Sequence, residues 1–254
     1  AGFGGGRKSI LPGVSTLKTI QQNHLRCLTD EVGGGTNPST ATGITSGNPM
    51  HEDMMEAAAF VNPDFLVNVV PNIEGEITEI FTGNWVSAWQ QACQMAVRIF
   101  GVPIEAQADI VIASAGGYPK DINLYQSQKT IDNAVYAMRP GGVAIILAQC
   151  PDICDPPEFF EWFRYPDIPS LESAARDNFL ISGWLAIRQM EYKDQGTIIL
   201  LTEKDNMELA CKAHVEPVST ISAALKLAYQ KCGTPTPQIT VMPQGANTFP
   251  IAGE

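Results

Sequence analysis

The sequence has no apolar run long enough to cross a membrane and few positive charges to attract a nucleic acid. Apolar runs such as 143–148 are far shorter than the roughly 20 residues that a transmembrane helix needs. Lys and Arg total 16 against 27 Asp and Glu, and the formal net charge is −11. Because anionic partners select cationic surfaces, we expect neither nucleic acid nor an anionic membrane as a partner.

The sequence also lacks a disulfide framework and a common zinc-binding pattern. Its 6 cysteines are scattered, and only Cys150 and Cys154 lie close together, with Pro151 between them. Scattered thiols in a chain of 254 residues are typical of reduced cytosolic proteins. We therefore predict a cytoplasmic protein in which this cysteine pair serves packing or a loop rather than a metal.

Length and composition predict a globular protein of two domains. The chain has 254 residues, of which 44% are hydrophobic and 17% charged, so it can bury a substantial core. In the second half, predicted strands alternate with predicted helices, which favours an α/β fold with a mostly parallel sheet covered by helices. The segment 101–103 ends a long helix, and we predict the boundary there, between domains 1–103 and 104–254.

Hydrophobic periodicity and turn residues predict the individual elements. Helices are expected at 16–28, from 49 onward, and at 86–100, 122–138, 157–164, 171–190, 205–212 and 218–231, with strands at 65–70, 76–81, 109–114, 142–148, 196–201, 214–217 and 238–242. The first two strands should form a hairpin through the turn at 72–75. Asn48 should cap the helix that begins at Pro49, and His51 in its first turn should have a capping or surface role. The segment 141–142 should end the helix at 122–138.

The stretch that follows the strand at 109–114 is the main candidate site. A glycine turn at 116–117 precedes a helix that should begin near Asp121 or Asn123, and ligands gather at such strand–turn–helix junctions. Gln126 and Lys129 share one face of the first helical turns, where an amide and an ammonium would suit a carboxylate. The alternative interpretation is a solvated helix start.

Three other features have both a functional and a structural interpretation. The segment 4–8 places Lys8 after three glycines and Arg7, so it departs from the Walker A pattern and is either an anion-binding loop or a flexible turn. His24 lies among apolar helix positions, where a core histidine is the usual alternative to a ligand. Trp184 is either a core aromatic or a ring that stacks on a planar ligand.

Four separated motifs, taken together and in order, resemble the nickel-dependent lactate racemase family. They are Ala-Gly-Phe-Gly-Gly-Gly-Arg-Lys at 1–8 with Pro-Gly at 12–13, Asn-His at 23–24, Gly-Asn-Pro-Met-His-Glu-Asp at 47–53, and Gly-Gly-Tyr-Pro-Lys-Asp-Ile-Asn-Leu-Tyr-Gln-Ser-Gln-Lys at 116–129. The resemblance extends over the whole chain. It implies two α/β domains with the active site in the cleft between them.

The resemblance implies a nickel pincer nucleotide as cofactor, a pyridinium mononucleotide whose two sulfur-bearing arms hold nickel. Lys8 would be the residue that is joined covalently to one arm. Gly5 and Gly6 would approach the cofactor, and Tyr125 and Trp184 would line its pocket.

The resemblance also implies the reaction, which is racemisation or epimerisation of a 2-hydroxy acid by transient hydride transfer to the cofactor. His24 would coordinate nickel, and Gln126 and Lys129 would hold and polarise the substrate. Two acid/base histidines of the family lie upstream of the glycine loop and have no counterpart in the chain, since His51 and His214 occupy other positions.

That departure predicts that the chain is the C-terminal part of a longer polypeptide or works with a separate chain, and that it is inactive alone. Two alternatives remain open. The first is a catalytically inactive α/β protein that binds an anionic ligand or a nucleotide. The second is an unrelated α/β protein in which Lys129 is a surface residue and the glycine loop is a linker.

Overall fold

The structure is a computed structural model that describes residues 6–252. The chain divides into two compact units, a first unit of Ala1–Gly101 with Arg176–Leu180 and a second unit of Val102–Ala175 with Ile181–Glu254. Among the helices described, none combines the length and the apolar character that crossing a membrane requires.

The first unit consists of helices around a short hairpin. Its elements are α1 (Leu17–Leu25), α2 (Pro49–Val61), β1 (Leu66–Pro71), β2 (Ile77–Gly83) and α3 (Trp85–Phe100), with 3-10 turns at Gly6–Ser9 and Pro38–Thr40. Strands β1 and β2 pair antiparallel, with Asn68 opposite Phe81. Helix α3 packs against both strands. The predicted hairpin and the predicted long helix after it are confirmed.

Polar residues define where these helices begin. Asn48 accepts a hydrogen bond from the backbone N–H of His51 at 3.1 Å, which confirms the predicted cap of α2. Thr16 caps α1 in the same way by accepting from the N–H of Thr19. Helix α1 ends at Leu25, earlier than predicted, because Leu28 leaves the helix and forms a β-bridge with Thr36.

The second unit alternates strands and helices. Its elements are β3 (Gly101–Ile104), β4 (Ala108–Ser114), α4 (Leu124–Ala137), β5 (Met138–Leu147), α5 (Pro157–Glu161), α6 (Ile168–Asp177), α7 (Ile181–Gln195), β6 (Gly196–Leu201), α8 (Met207–Lys212), β7 (Glu216–Val218), α9 (Ile221–Lys231), β8 (Ile239–Met242) and β9 (Phe249–Ala252). Two 3-10 turns lie at Trp162–Arg164 and Lys204–Asn206. The last two residues of α6 are grouped with the first unit.

A five-stranded parallel sheet is the framework of the second unit. Its strand order is β7-β6-β5-β4-β8, and each neighbouring pair is parallel. On one face, small residues of α9 such as Ala224 and Ala228 pack against Ile145 and Ile199. Ile146 points to the opposite face and is just as buried, and α4 and α7 pack against the same strands. The predicted α/β class with a mostly parallel, helix-covered sheet is confirmed.

The single helix predicted at 171–190 is wrong, because the chain forms α6 and α7 with a break at 178–180. The residues at the end of α6 and in the break make contacts within the first unit. Arg176 donates to the carbonyl of Thr29 at 2.6 Å, and the carbonyl of Phe179 accepts from Gln21 at 2.9 Å. These contacts with residues distant in sequence override a continuous helical pattern.

Sequence reasoning also misplaced a helix end and missed a strand pair. Helix α4 ends at Ala137, so Gly141 and Gly142 do not cap it but lie in β5. A methyl group on Gly142 would lie 2.9 Å from the carbonyl oxygen of Asp109, so the glycine permits close strand approach. Strands β3 and β9 form a separate two-stranded sheet that no local pattern predicted.

Candidate functional site

The junction between β4 and α4 has the predicted strand–turn–helix form, and Asn123 rather than Asp121 caps the helix. The side chain of Asn123 accepts a hydrogen bond from the backbone N–H of Gln126 at 2.7 Å. Asp121 is tied to the loop after β5 instead, since its carboxylate accepts from the N–H of Gln149 and its carbonyl from that of Cys150. The start of α4 is therefore anchored both by its own cap and by the loop after β5.

Gln126 and Lys129 meet on the first turns of α4. The ammonium of Lys129 donates to Oε1 of Gln126 at 2.8 Å, with Lys129 exposed and Gln126 half-buried. An ammonium has three N–H donors and a glutamine amide has two, so donors remain on both groups. The pair can present N–H groups and a positive charge to one carboxylate or hydroxy acid.

Tyr125 lies beside this pair in an aromatic environment. Its ring meets the fully buried ring of Phe159 edge-on at 5.9 Å between centroids. Burial, and then the charge of Glu158, raise the pKa of the Tyr125 phenol above its ordinary value. The phenol therefore stays protonated at neutral pH and offers a neutral hydrogen-bonding group.

Trp184 lies on α7, next to Gly183. A methyl group on Gly183 would lie 2.9 Å from the ring of Trp162, so the glycine makes room for that indole. The indole nitrogen of Trp184 is buried and has no hydrogen-bond partner within residues 6–252. The guanidinium of Arg188 lies 5.5 Å from the Trp184 ring centroid. An unpaired buried donor is a group that a ligand can satisfy.

His24 has the geometry of a metal-ligating histidine. Its Nδ1 lies 2.9 Å from the carbonyl oxygen of Ile20, so Nδ1–H donates to that carbonyl and Nε2 keeps its lone pair. Burial lowers the pKa of His24, the bond to Ile20 partly opposes this shift, and the charge of Lys8 lowers the pKa further. The imidazole is therefore neutral at neutral pH, which is the form that binds metals.

Contacts that sequence reasoning missed hold the helix that carries His24. Asn23, almost fully buried, donates to the carbonyl of Met50 at 3.0 Å and to Oδ2 of Asp53 at 2.8 Å. The other oxygen of Asp53 pairs with Arg26 at 3.1 Å. These bonds join α1 to α2 and so orient α1. The only signal in the sequence was an asparagine at a helix position next to the histidine.

Lys8 lies in the 3-10 turn Gly6–Ser9, and its pKa is lowered first by desolvation and then by the charge of Arg7. Arg7 itself is buried, with its guanidinium 4.7 Å from the ring centroid of Trp89. Gly6 has φ +63°, and a methyl group on it would lie 3.4 Å from Cβ of Trp89. A less basic lysine is more nucleophilic at neutral pH. The predicted contribution of Gly5 lies outside the described residues.

His51 does not have the surface role predicted for it. Its ring is buried and stacks on Trp89 with 4.8 Å between centroids, because the first turn of α2 faces α3. Burial, followed by the charge of Arg7, lowers the pKa of His51 to about 4. Its Nδ1 has no hydrogen-bond partner in the described part of the chain.

The candidate residues thus belong to two sets. Lys8, His24 and Gly6 lie in the first unit, and the Tyr125–Lys129 turn and Trp184 lie in the second. Between residues 6 and 252, no three His, Cys, Asp or Glu side chains are grouped so that they could hold a metal ion by themselves. A metal at His24 would need further donors from outside the described residues. These features define an α/β protein that has a Gln–Lys pair with free donors on one unit, and on the other a neutral imidazole with an available Nε2 lone pair and a lysine of lowered pKa.

Comparison with known proteins identifies the family. Residues 104–249 match the lactate racemase C-terminal domain, and residues 1–35 match the lactate racemase N-terminal domain. The chain therefore belongs to the lactate racemase family.

Two curated relatives are named lactate racemase. The protein from Thermoanaerobacterium thermosaccharolyticum is 34% identical over 98% of the chain, and that from Lactiplantibacillus plantarum is 29% identical over 96% of it. The chain spans 58% and 57% of the length of these relatives.

Solved structures show the same fold. The lactate racemase apoprotein from T. thermosaccharolyticum, whose structure has been solved, is 34% identical in sequence to this chain, with a TM-score of 0.88. The match covers 98% of this chain and 59% of the apoprotein chain. A protein from Thermotoga maritima is 13% identical with a TM-score of 0.62 over 98% of this chain and 63% of its own, a likeness of fold alone.

Proposed function

We propose that the chain forms part of a racemase or epimerase that acts on a 2-hydroxy acid with a nickel pincer nucleotide. The observation that carries the proposal is the His24 imidazole, which is neutral, is oriented by the Ile20 carbonyl and has its Nε2 lone pair available. Membership of the lactate racemase family supports an isomerase of this kind. The domains 1–103 and 104–254 would then be the end of the cofactor-binding domain and the C-terminal domain.

The residues of the first unit fit such a cofactor. When bound, it supplies a hydride acceptor for the carbon that carries the substrate hydroxyl. His24 Nε2 would hold the nickel together with donors from the sulfur arms. Lys8, with its lowered pKa, would form the covalent link. Gly5 and Gly6 would approach the nucleotide, and Tyr125 and Trp184 would line its pocket.

The residues of α4 would bind the substrate. Lys129 would hold the carboxylate as a positive charge, and the Gln126 amide would donate to the oxygen that becomes a carbonyl. Donors directed at developing charge each contribute about 2–4 kcal/mol in other enzymes. The close contact between the two side chains means that one anionic group can engage both.

It remains a prediction that the two acid/base histidines of the family have no counterpart in the chain. That the chain is inactive by itself is a prediction as well. His51 is buried against Trp89 and its pKa is about 4, so it is poorly suited to accept a hydroxyl proton at neutral pH. We infer that acid and base groups for the reaction come from outside residues 1–254.

The test is the mass and metal content of the full-length protein purified from a host that makes the cofactor. We expect a covalent adduct at Lys8 and nickel equimolar with the chain. The variant Lys8→Ala should lose the adduct, and His24→Ala should lose nickel, because each removes one attachment. The matched control Lys18→Ala changes an exposed lysine on α1 and should keep both.

Absence of both adduct and nickel, from a host that loads a known lactate racemase, would contradict the proposal. That outcome would favour a catalytically inactive protein that binds an anionic ligand or a nucleotide. Nickel that persists in His24→Ala would contradict only the assignment of His24 as the nickel ligand.

A further inference from the structure

In the parallel sheet of the second unit, successive strands from β5 to β7 lie on one side of β4, and β8 then lies on the other side. From β4 the chain passes through α4 to β5 on one side, whereas β8 lies on the other side of β4. The loops after β4 and β8 therefore leave the sheet from neighbouring carboxyl ends. In open parallel sheets, ligands bind in the crevice at such a topological switch point.

Two side chains from these loops converge over one glycine. Gly116 has φ +87°, and a methyl group on it would lie 3.2 Å from Oε1 of Gln244 and 3.7 Å from Nζ of Lys120. The side chains of Lys120 and Gln244 make no hydrogen bond or ion pair with any residue between 6 and 252. Gly117, on the same loop, also has a positive φ of +78° and is exposed.

Hydrogen bonds hold the two loops that carry these side chains. The N–H of Gly245, next to Gln244, donates to the carbonyl of Ser114 at 2.8 Å, which joins the β8 loop to the end of β4. The carbonyl of Gly245 accepts from the buried Asn133 of α4 at 2.7 Å. On the other loop, the N–H of Lys120 donates to the carbonyl of Gly117 at 2.9 Å. The backbone segments that carry Lys120 and Gln244 are therefore pre-positioned, which lowers part of the entropy cost of binding.

We propose that Lys120, Gln244 and the backbone N–H of Gly117 form a recess that binds an oxyanion, beside Gly116, whose own N–H donates to the hydroxyl of Ser114 at 3.1 Å. An ammonium without a carboxylate partner attracts negative charge, and a glutamine amide donates through its NH₂ group when it rotates toward the ligand. Within residues 6–252 no carboxylate forms an ion pair with Lys120, and the carboxylate of the adjacent Asp121 accepts from the N–H of Gln149 instead. Both a carboxylate and a phosphate offer the oxygens that this recess would bind.

The proposal does not depend on the nickel cofactor or on the Gln126–Lys129 pair, and neither is altered in its test. The ¹⁵N-labelled chain is titrated with sodium phosphate and, in a second sample, with sodium acetate, at constant ionic strength maintained with chloride. The backbone amides of Gly116 and Gly117 report binding. The variants are Lys120→Gln and Gln244→Ala, and the matched control is Lys226→Gln, an exposed lysine on α9.

We expect saturable shifts of the two glycine amides in the parent and in Lys226→Gln, and at least about tenfold weaker binding in Lys120→Gln, as loss of a charged donor predicts. Gln244→Ala should also bind more weakly. Saturation by phosphate alone assigns a phosphoryl ligand, and saturation by acetate assigns a carboxylate. Absence of saturation with either anion, or equal affinity in Lys120→Gln and the control, overturns the proposal. An unchanged unfolding midpoint in each variant excludes loss of fold as the cause.

Discussion

The two units differ in how they bury apolar side chains. In the second unit, both faces of the central strands are covered, and Ile145 is 0% exposed. In the first unit, only one face of the β1–β2 hairpin packs on α3, and Ile80 on the other face is 55% exposed. Because burial of apolar surface is the main stabilising term, most of the folding free energy should reside in the parallel sheet. The first unit relies more on caps and on buried polar contacts.

The largest effect should come from truncating the sheet core. Ile145→Ala removes a fully buried side chain between Ile112 and Ile199 and leaves a cavity under α9. We expect a loss of about 2–5 kcal/mol in the free energy of unfolding, measured by urea denaturation. Ile80→Ala is the matched control in the hairpin, where exposure predicts a loss below about 0.5 kcal/mol. Equal losses at the two positions would contradict the contrast between the units.

A smaller effect, specific to the first unit, should appear on acidification. The pKa of His51 falls from 6.5 to about 4 on folding. Between these pH values the unfolded chain binds a proton that the folded chain does not, so stability present above pH 6.5 is lost as pH falls toward 4. We expect this histidine to account for up to about 3 kcal/mol of that loss.

The variant His51→Phe keeps a ring beside Trp89 and removes the titration. Its free energy of unfolding should fall less than that of the parent between pH 6.5 and pH 4, the range set by the His51 shift. The carboxylates and the other histidines titrate in both proteins, so the difference isolates His51. Parallel stability curves for the two proteins would show that His51 titrates normally.

The smallest effect should come from the cap of the candidate substrate-binding helix. Asn123→Ala removes the acceptor of the Gln126 N–H and should cost about 1 kcal/mol. Amide hydrogen exchange should accelerate at Gln126 in particular. The control Asn84→Ala removes the equivalent cap of α3 in the first unit and should leave exchange at Gln126 unchanged. Unaltered exchange at Gln126 in Asn123→Ala would mean that the Asp121 contacts alone hold the helix start.

The features that could be predicted from sequence are those that depend on neighbouring residues. The cap at Asn48, the hairpin turn and the strand–turn–helix junction before Gln126 each involve groups a few residues apart. The partnership of Gln126 with Lys129 follows from helical spacing. Local chemistry therefore identified both the second unit's fold class and its candidate carboxylate-binding pair.

The errors fall where distant residues compete with local pattern. The helix break at 178–180 depends on contacts of 176–180 within the first unit, and the burial of His51 depends on Trp89, which lies on another helix. The choice of Asn123 over Asp121 as cap follows from Gln149, which bonds to Asp121 from the loop after β5. None of these partners can be identified from the residues around the predicted site.

The sequence by itself determined the alternation of strands and helices, the caps and the order of the family motifs, because hydrogen bonds within a turn and apolar periodicity act over a few residues. The tertiary structure alone decided the strand order, the β3–β9 pairing, the clamp of Asn23 on α2 and the convergence of Lys120 and Gln244 over Gly116. These features join residues far apart in the chain, whose contact depends on the packing of the whole unit.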